Sequence, residues 1–303
     1  MLVKYCNAKC QKNHWPTHKK LCKQRAAELH DEALFKDPPA KDDCPLCCLP
    51  MPLQLIKCIS LPPATVTSIP IYDLAHANKE LANGATDQYF NCCGKSICGG
   101  CVQSYVNSFR ESSGHIEKCP FCKSNRLGKS NEEEVEELMK RVEAKDAGST
   151  FALGNYYRHG NLSLQPDWEK AKELWIQAAK LGSSQAQYCL GNICDEGGDS
   201  KKAKFHYEAA AMAGHDEARY NLGQMELGSG SMERAVKHWI IAASAGNYDA
   251  MQNLLVAFNK GLISRDEVEL TLTAYNNSCA EMRSETRDNY IAKSYIEIQN
   301  RYA

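Results

Sequence analysis

The chain of 303 residues carries almost no net charge: 36 Lys and Arg stand against 37 Asp and Glu. A strongly basic balance, the footprint of nucleic-acid or anionic-membrane binding, is therefore absent. One basic tract, KKLCKQR at 19–25, is short and has no aromatics interleaved for base stacking, so a solvated helix face accounts for it. Long apolar runs are lacking too. The longest, Leu49 to Leu74, is broken by five prolines and Lys57, so it is no membrane span. No H-E-x-x-H occurs and the nine histidines are scattered, which argues against an open-site zinc hydrolase. No signal-peptide pattern follows Met1, so a reducing compartment is expected, cytoplasmic or nuclear.

Cysteine is what the sequence has in excess. There are 16, and 13 of them lie at or before Cys122. They come mostly as C-x2-C pairs, and pairs that close in sequence favour one metal ion over one S–S bond. The central block holds Cys44-x2-Cys47, the doublet Cys92–Cys93, Cys98-x2-Cys101 and Cys119-x2-Cys122. A C-x2-C turn presents two sulfurs to one tetrahedral ion, so three pairs and a doublet supply eight ligands, enough for two closed zinc sites. Four thiolates leave no open coordination position, which makes such zinc structural rather than catalytic. Cys48 and Cys58 are left over and are expected to be ordinary buried thiols.

Beyond residue 125 the composition changes. From Asn131 to Lys145 the chain is Glu-rich with apolar residues at intervals (Val135, Leu138, Val142), which predicts a helix leading out of the cysteine-rich region. Periodicity follows. KAKELWIQAAKLG (170–182), KAKFHYEAAAMAG (202–214) and RAVKHWIIAASAG (234–246) align without gaps, so that Ala171, Ala203 and Ala235 are 32 residues apart. Trp175, Tyr207 and Trp239 keep the same phase, as do Gly182, Gly214 and Gly246. A second helix repeats with Leu153–Gly154, Leu190–Gly191 and Leu222–Gly223; the first spacing is 37, which puts a longer loop around HGNLSLQPD. A fourth helix start, GNYDAMQNLLVAF, has Leu255 in place of the glycine. Two helices per 32-residue unit predict an α-solenoid in which small residues allow close approach and one aromatic per unit fills the gap. Gly261 reads as a helix end, and SRDE (264–267) has the spacing of a capping box opening a terminal helix.

Three family resemblances follow from these residues. The repeats resemble Sel1-like repeats, relatives of the tetratricopeptide repeat. The cysteine block resembles a RING domain, whose cross-brace implies Cys44, Cys47, Cys98 and Cys101 on one ion and Cys92, Cys93, Cys119 and Cys122 on a second. Where the usual RING has a histidine this sequence has Lys95, a poor ligand; either Cys92 replaces it, giving an eight-cysteine variant, or the second site holds no metal. The resemblance also implies a surface for a ubiquitin-conjugating enzyme (E2): Leu46, Tyr105, Pro120, Phe121 and the basic Lys123, where the family more often has arginine. Third, YCNAKCQKNHWPTHKKLC resembles the latter half of a MYND zinc finger, with Cys6, Cys10, Gln11, Trp15, His18 and Cys22 in place. In the family's interleaved arrangement each site would then lack two ligands. The four residues share one ion, or the segment holds metal weakly, or the sequence begins inside the finger.

The expected architecture is mostly α: a small zinc-stabilised RING-like α+β domain followed by an α-solenoid of Sel1-like helix pairs. The expected division is a partial finger over 1–30, a linker over 31–43, the RING-like domain over 44–126 with a long inserted loop at 48–91, a linking helix over 127–144, repeats over 145–262 and capping helices over 263–303. The RING resemblance implies an E3 ubiquitin ligase with no nucleophile of its own, zinc as cofactor, an E2 as partner and a substrate on the solenoid. A non-catalytic adaptor with structural zinc is the competing expectation. Neither a nucleic acid nor a membrane is expected as partner.

Overall fold

The computed structural model describes residues 15–41, 44–46, 87–98, 101–102, 104–105, 118–124, 128–282 and 284. Ten helices and one two-stranded hairpin lie among them, so the fold is mostly α, as expected. Helix α1 is Trp15–Leu34, strands β1 and β2 are Asp87–Phe90 and Lys95–Cys98, and α2 is Asn131–Glu143. The helix pairs follow: α3 Ala147–His159, α4 Trp168–Lys180, α5 Ser184–Glu196, α6 Ser200–Met212, α7 Asp216–Gly228, α8 Met232–Ser244, α9 Tyr248–Asn259 and α10 Arg265–Glu281. No helix among the described residues is long and apolar enough to cross a membrane. The Leu49–Leu74 stretch lies outside them.

The 32-residue period has a stereochemical origin at each end of the helices. Gly182, Gly214 and Gly246 take φ of +100°, +90° and +91°, where a side chain would be strained. Each ends a helix in a Schellman turn: Gly182 N–H donates to Ala179 O (3.1 Å) and Ser183 N–H to Ala178 O (3.0 Å), and the same pair of bonds recurs at the next two glycines. The residue after each glycine caps the next helix. Ser183 Oγ, His215 Nδ1 and Asn247 Oδ1 accept from the N–H three residues on, at 3.2, 3.3 and 2.9 Å. One short turn thus satisfies both helix ends, and the chain folds back as an antiparallel pair. The longer first loop holds a short 3-10 turn at Asn161–Ser163.

Between the helices the small residues do what their spacing predicts. Ala171, Ala203 and Ala235 are fully buried, and Trp175, Tyr207 and Trp239 fill the gaps around them. The glycine of each Leu-Gly pair faces one of these rings: a Cβ on Gly154 would fall 2.7 Å from Trp175, one on Gly191 2.5 Å from Tyr207 and one on Gly223 2.3 Å from Trp239. At the fourth unit both members of the pair change together, for Leu255 replaces the glycine and Thr271 occupies the next aromatic phase. The capping box predicted at SRDE is present, with Ser264 and Glu267 bonding each other's backbone N–H. Gly261, at φ +70°, ends α9. A terminal helix closes the stack up to Glu281; the rest of the expected capping segment to residue 303 lies outside the described residues, apart from Met282 and Ser284.

Three expected boundaries differ. The loop expected over 48–91 gives way to a strand at Asp87, because Asp87–Phe90 pairs antiparallel with Lys95–Cys98 (Asp87 opposite Cys98, Phe90 opposite Lys95); residues 48–86, Cys48 and Cys58 included, lie outside the described part. The helix predicted from Asn131 does begin there, started by a second capping box, Ser130 with Glu133, so the linking segment given as 127–144 is helical only from that residue. The segment expected as a linker over 31–43 is not a free connector. Helix α1 runs through its start to Leu34, and Leu34 is fully buried with Ala203, Tyr207, Ala210 and Ala211 of α6 and Ala218 and Leu222 of α7. From Thr17 to Asp37 the chain carries no Pro or Gly, so nothing in the local sequence stops α1 at residue 30.

Candidate metal centre

The hairpin turn brings the cysteine doublet to one point. Phe90 C=O accepts from the N–H of Cys93 (3.2 Å) and of Gly94 (2.8 Å), and Gly94 takes φ +66° to complete the turn. Opposite it, the Cys119–Cys122 segment curls on itself: Lys123 N–H donates to Cys119 O (3.1 Å) and Cys119 N–H to Ser124 O (2.9 Å), with Lys123 at φ +60°. The sulfurs of Cys92, Cys93, Cys119 and Cys122 consequently lie within 4.8 Å of one another. Cys44, Cys98 and Cys101 form a second cluster by the same measure. Cys47 lies outside the described residues.

The donor geometry fits a tetrahedral ion. Bonds of about 2.3 Å from sulfur to zinc put neighbouring sulfurs about 3.8 Å apart. Cys93 and Cys119 are separated by 3.7 Å, and Cys44 and Cys101 by 3.8 Å. None of these seven cysteines is in a disulfide among the described residues. Without a cation the set is electrostatically uneasy. Burial and the neighbouring sulfurs push the Cys92 thiol up to about 12, and Cys93 is raised for the same reasons. Burial also acts upward on Cys122, but hydrogen bonding to Ser124 outweighs it and holds that thiol at about 6. A divalent ion favours the thiolate at every position, which is what a closed thiolate site requires. Neither cluster includes a histidine or a carboxylate.

The Lys95 backbone hydrogen-bonds the Cys93 thiol, while its Nζ sits 5.0 Å from the centre of the Phe121 ring. Phe121 in turn meets Phe90 edge to face at 5.9 Å and packs with Cys44, Ile97, Cys98 and Cys119. Among the residues expected to face an E2, then, Phe121 belongs to the small core between the clusters. Tyr105 donates its hydroxyl to Lys118 O (2.9 Å) and Lys123 Nζ donates to Pro120 O (2.9 Å). Pro120 is half-buried, and Leu46 is exposed. Cys6, Cys10 and Gln11 lie outside the described residues. Trp15, His18 and Cys22 are on α1, but their side chains are not among those described.

A polar seam attaches the hairpin to the repeats. Tyr89 Oη is 2.5 Å from Ser149 Oγ, Asn91 Nδ2 donates to Glu134 Oε2 (3.1 Å), and Tyr156 Oη donates to Asn91 Oδ1 (3.2 Å). Arg141 covers Gly94, donates to Ser149 Oγ (3.0 Å) and pairs with Asp146. The cysteine clusters are thereby held on α2 and α3. Sequence reasoning missed Tyr89, Asn91 and Arg141; the second capping box at Ser130–Glu133 was the legible signal, since it fixes where α2 starts and so which residues face the hairpin.

Comparison with known proteins adds three observations. The family model described as "MYND finger" matches residues 1–22. No curated protein matches the chain. Among solved structures, a Sel1 repeat protein from Oxalobacter formigenes is 24% identical over 50% of this chain and 65% of its own, with a TM-score of 0.42. A protective antigen of uropathogenic Escherichia coli strains, displaying an SLR fold, is 22% identical over 56% of this chain and 42% of its own, with a TM-score of 0.40. An immunity protein from Pseudomonas aeruginosa is 18% identical, with a TM-score of 0.31, over 58% of this chain and 82% of its own. The chain thus spans 65% and 42% of the first two.

Proposed function

We propose that this chain is a zinc-binding protein-interaction protein in which thiolate zinc sites hold a small RING-like module rigidly on an α-solenoid. The observation that carries the reading is the cluster of Cys92, Cys93, Cys119 and Cys122 within 4.8 Å, a four-thiolate set that closes around an ion and leaves no position for a substrate. Cys47 would complete the other cluster in the same way. Metal here shapes a surface, and the polar seam at Tyr89–Ser149 and Asn91–Glu134 transmits that shape to the repeats. Cys6, Cys10, His18 and Cys22 would hold a further ion at the N-terminus, and the reducing cytoplasm or nucleus suits all of these thiolates. Zinc content, measured on purified protein before and after Cys93→Ser, tests the reading: a loss of about one equivalent supports it, and unchanged content sinks it.

The finer reading is a RING-type E3 ligase that positions an E2 thioester. Leu46 favours it, being a large apolar side chain left 41% exposed beside the Cys44 cluster. Tyr105, Phe121 and Lys123 favour the adaptor instead, because each already has a partner inside the module. Ubiquitin discharge from a panel of charged E2 enzymes, with Leu46→Ala beside the parent chain, separates the two. Discharge lost with Leu46→Ala supports a ligase; none from zinc-loaded protein leaves the adaptor.

A further inference from the structure

The segment from His30 to Lys41 lies across the repeats as a ligand would. His30 Nε2 approaches Glu208 Oε2 of α6 at 3.3 Å, and Asp31 pairs with Arg234 of α8 at 2.5 Å. Asp31, Leu34 and Phe35 are spaced i, i+3, i+4, so one helical face reads the solenoid. Leu34 is buried, the Phe35 ring lies 4.6 Å from that of His238, and the Arg234 guanidinium sits 5.1 Å from the centre of the Phe35 ring. Beyond the helix, Pro39 rests on the turn at Gly214 and Lys41 Nζ donates to Ala245 O at the following turn (2.7 Å).

The surface beneath is specialised for this contact. Arg219 is 2% exposed, yet no carboxylate pairs with it among the described residues; it donates to Leu34 O and to Ala211 O (2.8 Å). Leu34 O lies at the negative end of α1, where carbonyls have no partner within the helix, so the buried guanidinium acts as a socket for a helix C-terminus. His238 is fully buried against Phe35, and neither ring nitrogen has a hydrogen-bond partner among the described residues. The neighbouring repeats do not keep this set: Ile176 and Ile240 stand where Glu208 does, Gln187 and Met251 where Arg219 does, and Leu174 and His206 where His238 does. A permanent core contact gains nothing from such polar groups, which cost free energy to bury. An exchangeable one gains specificity. Asp31 and His30 are 45% and 46% exposed, so the strap's polar anchors are open to water and to competitors.

We propose that Glu208, Arg219, Arg234 and His238 form a recognition site for a helical peptide ending in acidic-x-x-Leu-aromatic, and that residues 30–41 occupy it as a built-in competitor of an outside protein carrying that pattern. The proposal rests on the protein-interaction reading and names its partner chemistry. The strap holds the site closed; displacement opens it.

A fluorescent peptide of residues 23–41 is titrated against the full zinc-loaded chain and against a chain carrying Asp31→Ala with Phe35→Ala. The opened chain is expected to bind the peptide at least tenfold more tightly than the parent chain. Adding Arg234→Asp to it abolishes binding, and a peptide with Asp31→Arg restores binding to that Arg234→Asp chain. Helix content and melting of the repeats confirm folding; where the double change unfolds the chain, Phe35→Ala alone carries the comparison. Equal weak binding to opened and parent chains overturns the proposal, as does binding indifferent to the charge exchange. An opened chain that dimerises and is not dissociated by peptide makes a second copy the occupant and also overturns it. A cellular partner retained equally by both chains sinks the strap while leaving the interaction function standing.

Discussion

The indole nitrogen of Trp239 presses on the backbone of Gly223 so closely that a methyl group there would fall 2.3 Å from it. An alanine in a helix interior ordinarily gains up to about 1 kcal/mol over glycine. Here the sign reverses. Overpacking costs about 1–3 kcal/mol, so Gly223→Ala is expected to lower stability by about 1–2 kcal/mol in urea unfolding, and Gly191→Ala against Tyr207 by a similar amount. A stabilised Gly223→Ala chain would show that the ring has room to shift.

The same ring supplies a second prediction. Trp175 Nε1 donates to Asn155 Oδ1 (3.2 Å) and Tyr207 Oη to Asn192 Oδ1 (2.8 Å), each asparagine following its Leu-Gly pair. In the third unit that position is Gln224, whose Oε1 accepts from Asn253 instead (3.0 Å), and the buried Trp239 Nε1 has no partner among the described residues. Gln224→Asn is expected to supply the missing acceptor and raise stability by about 0.5–1.5 kcal/mol. Asn155→Ala, which orphans Trp175, is expected to cost about 1–3 kcal/mol. Thermal melts of the two variants check both signs.

These positions show why the repeats were legible and the rest less so. Glycine, alanine and aromatic phases are local consequences of helix packing, and three copies in phase make the signal redundant. Cysteine spacing likewise marks the central donors, because C-x2-C turns are short-range objects. The strap had no such marker. Leu34 and Phe35 meet residues some 200 positions away, and the polar groups that receive them, Arg219 and His238, look like ordinary helix residues until the chain is folded. The E2-facing set is a different case: Phe121 and Tyr105 fit a pattern in sequence, and in the fold Phe121 packs against a small core while Tyr105 donates to Lys118 O.

Acid should weaken the fold partly through His215. Its Nδ1 accepts from Ala218 N–H, so that nitrogen carries no proton, and burial holds the imidazole below its ordinary value despite the nearby Asp216. Above about pH 6.5 both folded and unfolded chains are neutral there, and the cap contributes fully. Below that, the unfolded chain takes up a proton that the folded chain resists, so stability falls toward acid by at most about 1.4 kcal/mol per pH unit. His215→Asn, matching the cap at Asn247, is expected to flatten the urea midpoint between pH 6.5 and 5. The decline will not vanish, since burial and Arg219 push His238 down to about 3. An unchanged slope would assign the acid loss to His238 and His206.

Stripping metal should divide the molecule along the Tyr89–Ser149 seam. The hairpin has only eight strand residues and one small core, and a structure of that size has little independent stability without its staple. The repeats bury their own aromatics and alanines, and no metal-ligating cluster lies among their described residues. After chelation, hydrogen exchange is expected to lose protection at the amides of 87–98 and 119–124, while helices from Trp168 to Asn259 keep theirs. Protection in α2 and at Ser149 should fall by an intermediate amount, because Asn91–Glu134 and Tyr89–Ser149 disappear with the hairpin but the Ser130–Glu133 capping box remains. Cys93→Ser should reproduce the pattern without chelator, whereas Cys189→Ser, in the repeat core, should leave the hairpin's protection unchanged. Protection retained at 87–98 after complete metal removal would mean that the thiolate clusters do not hold the module together.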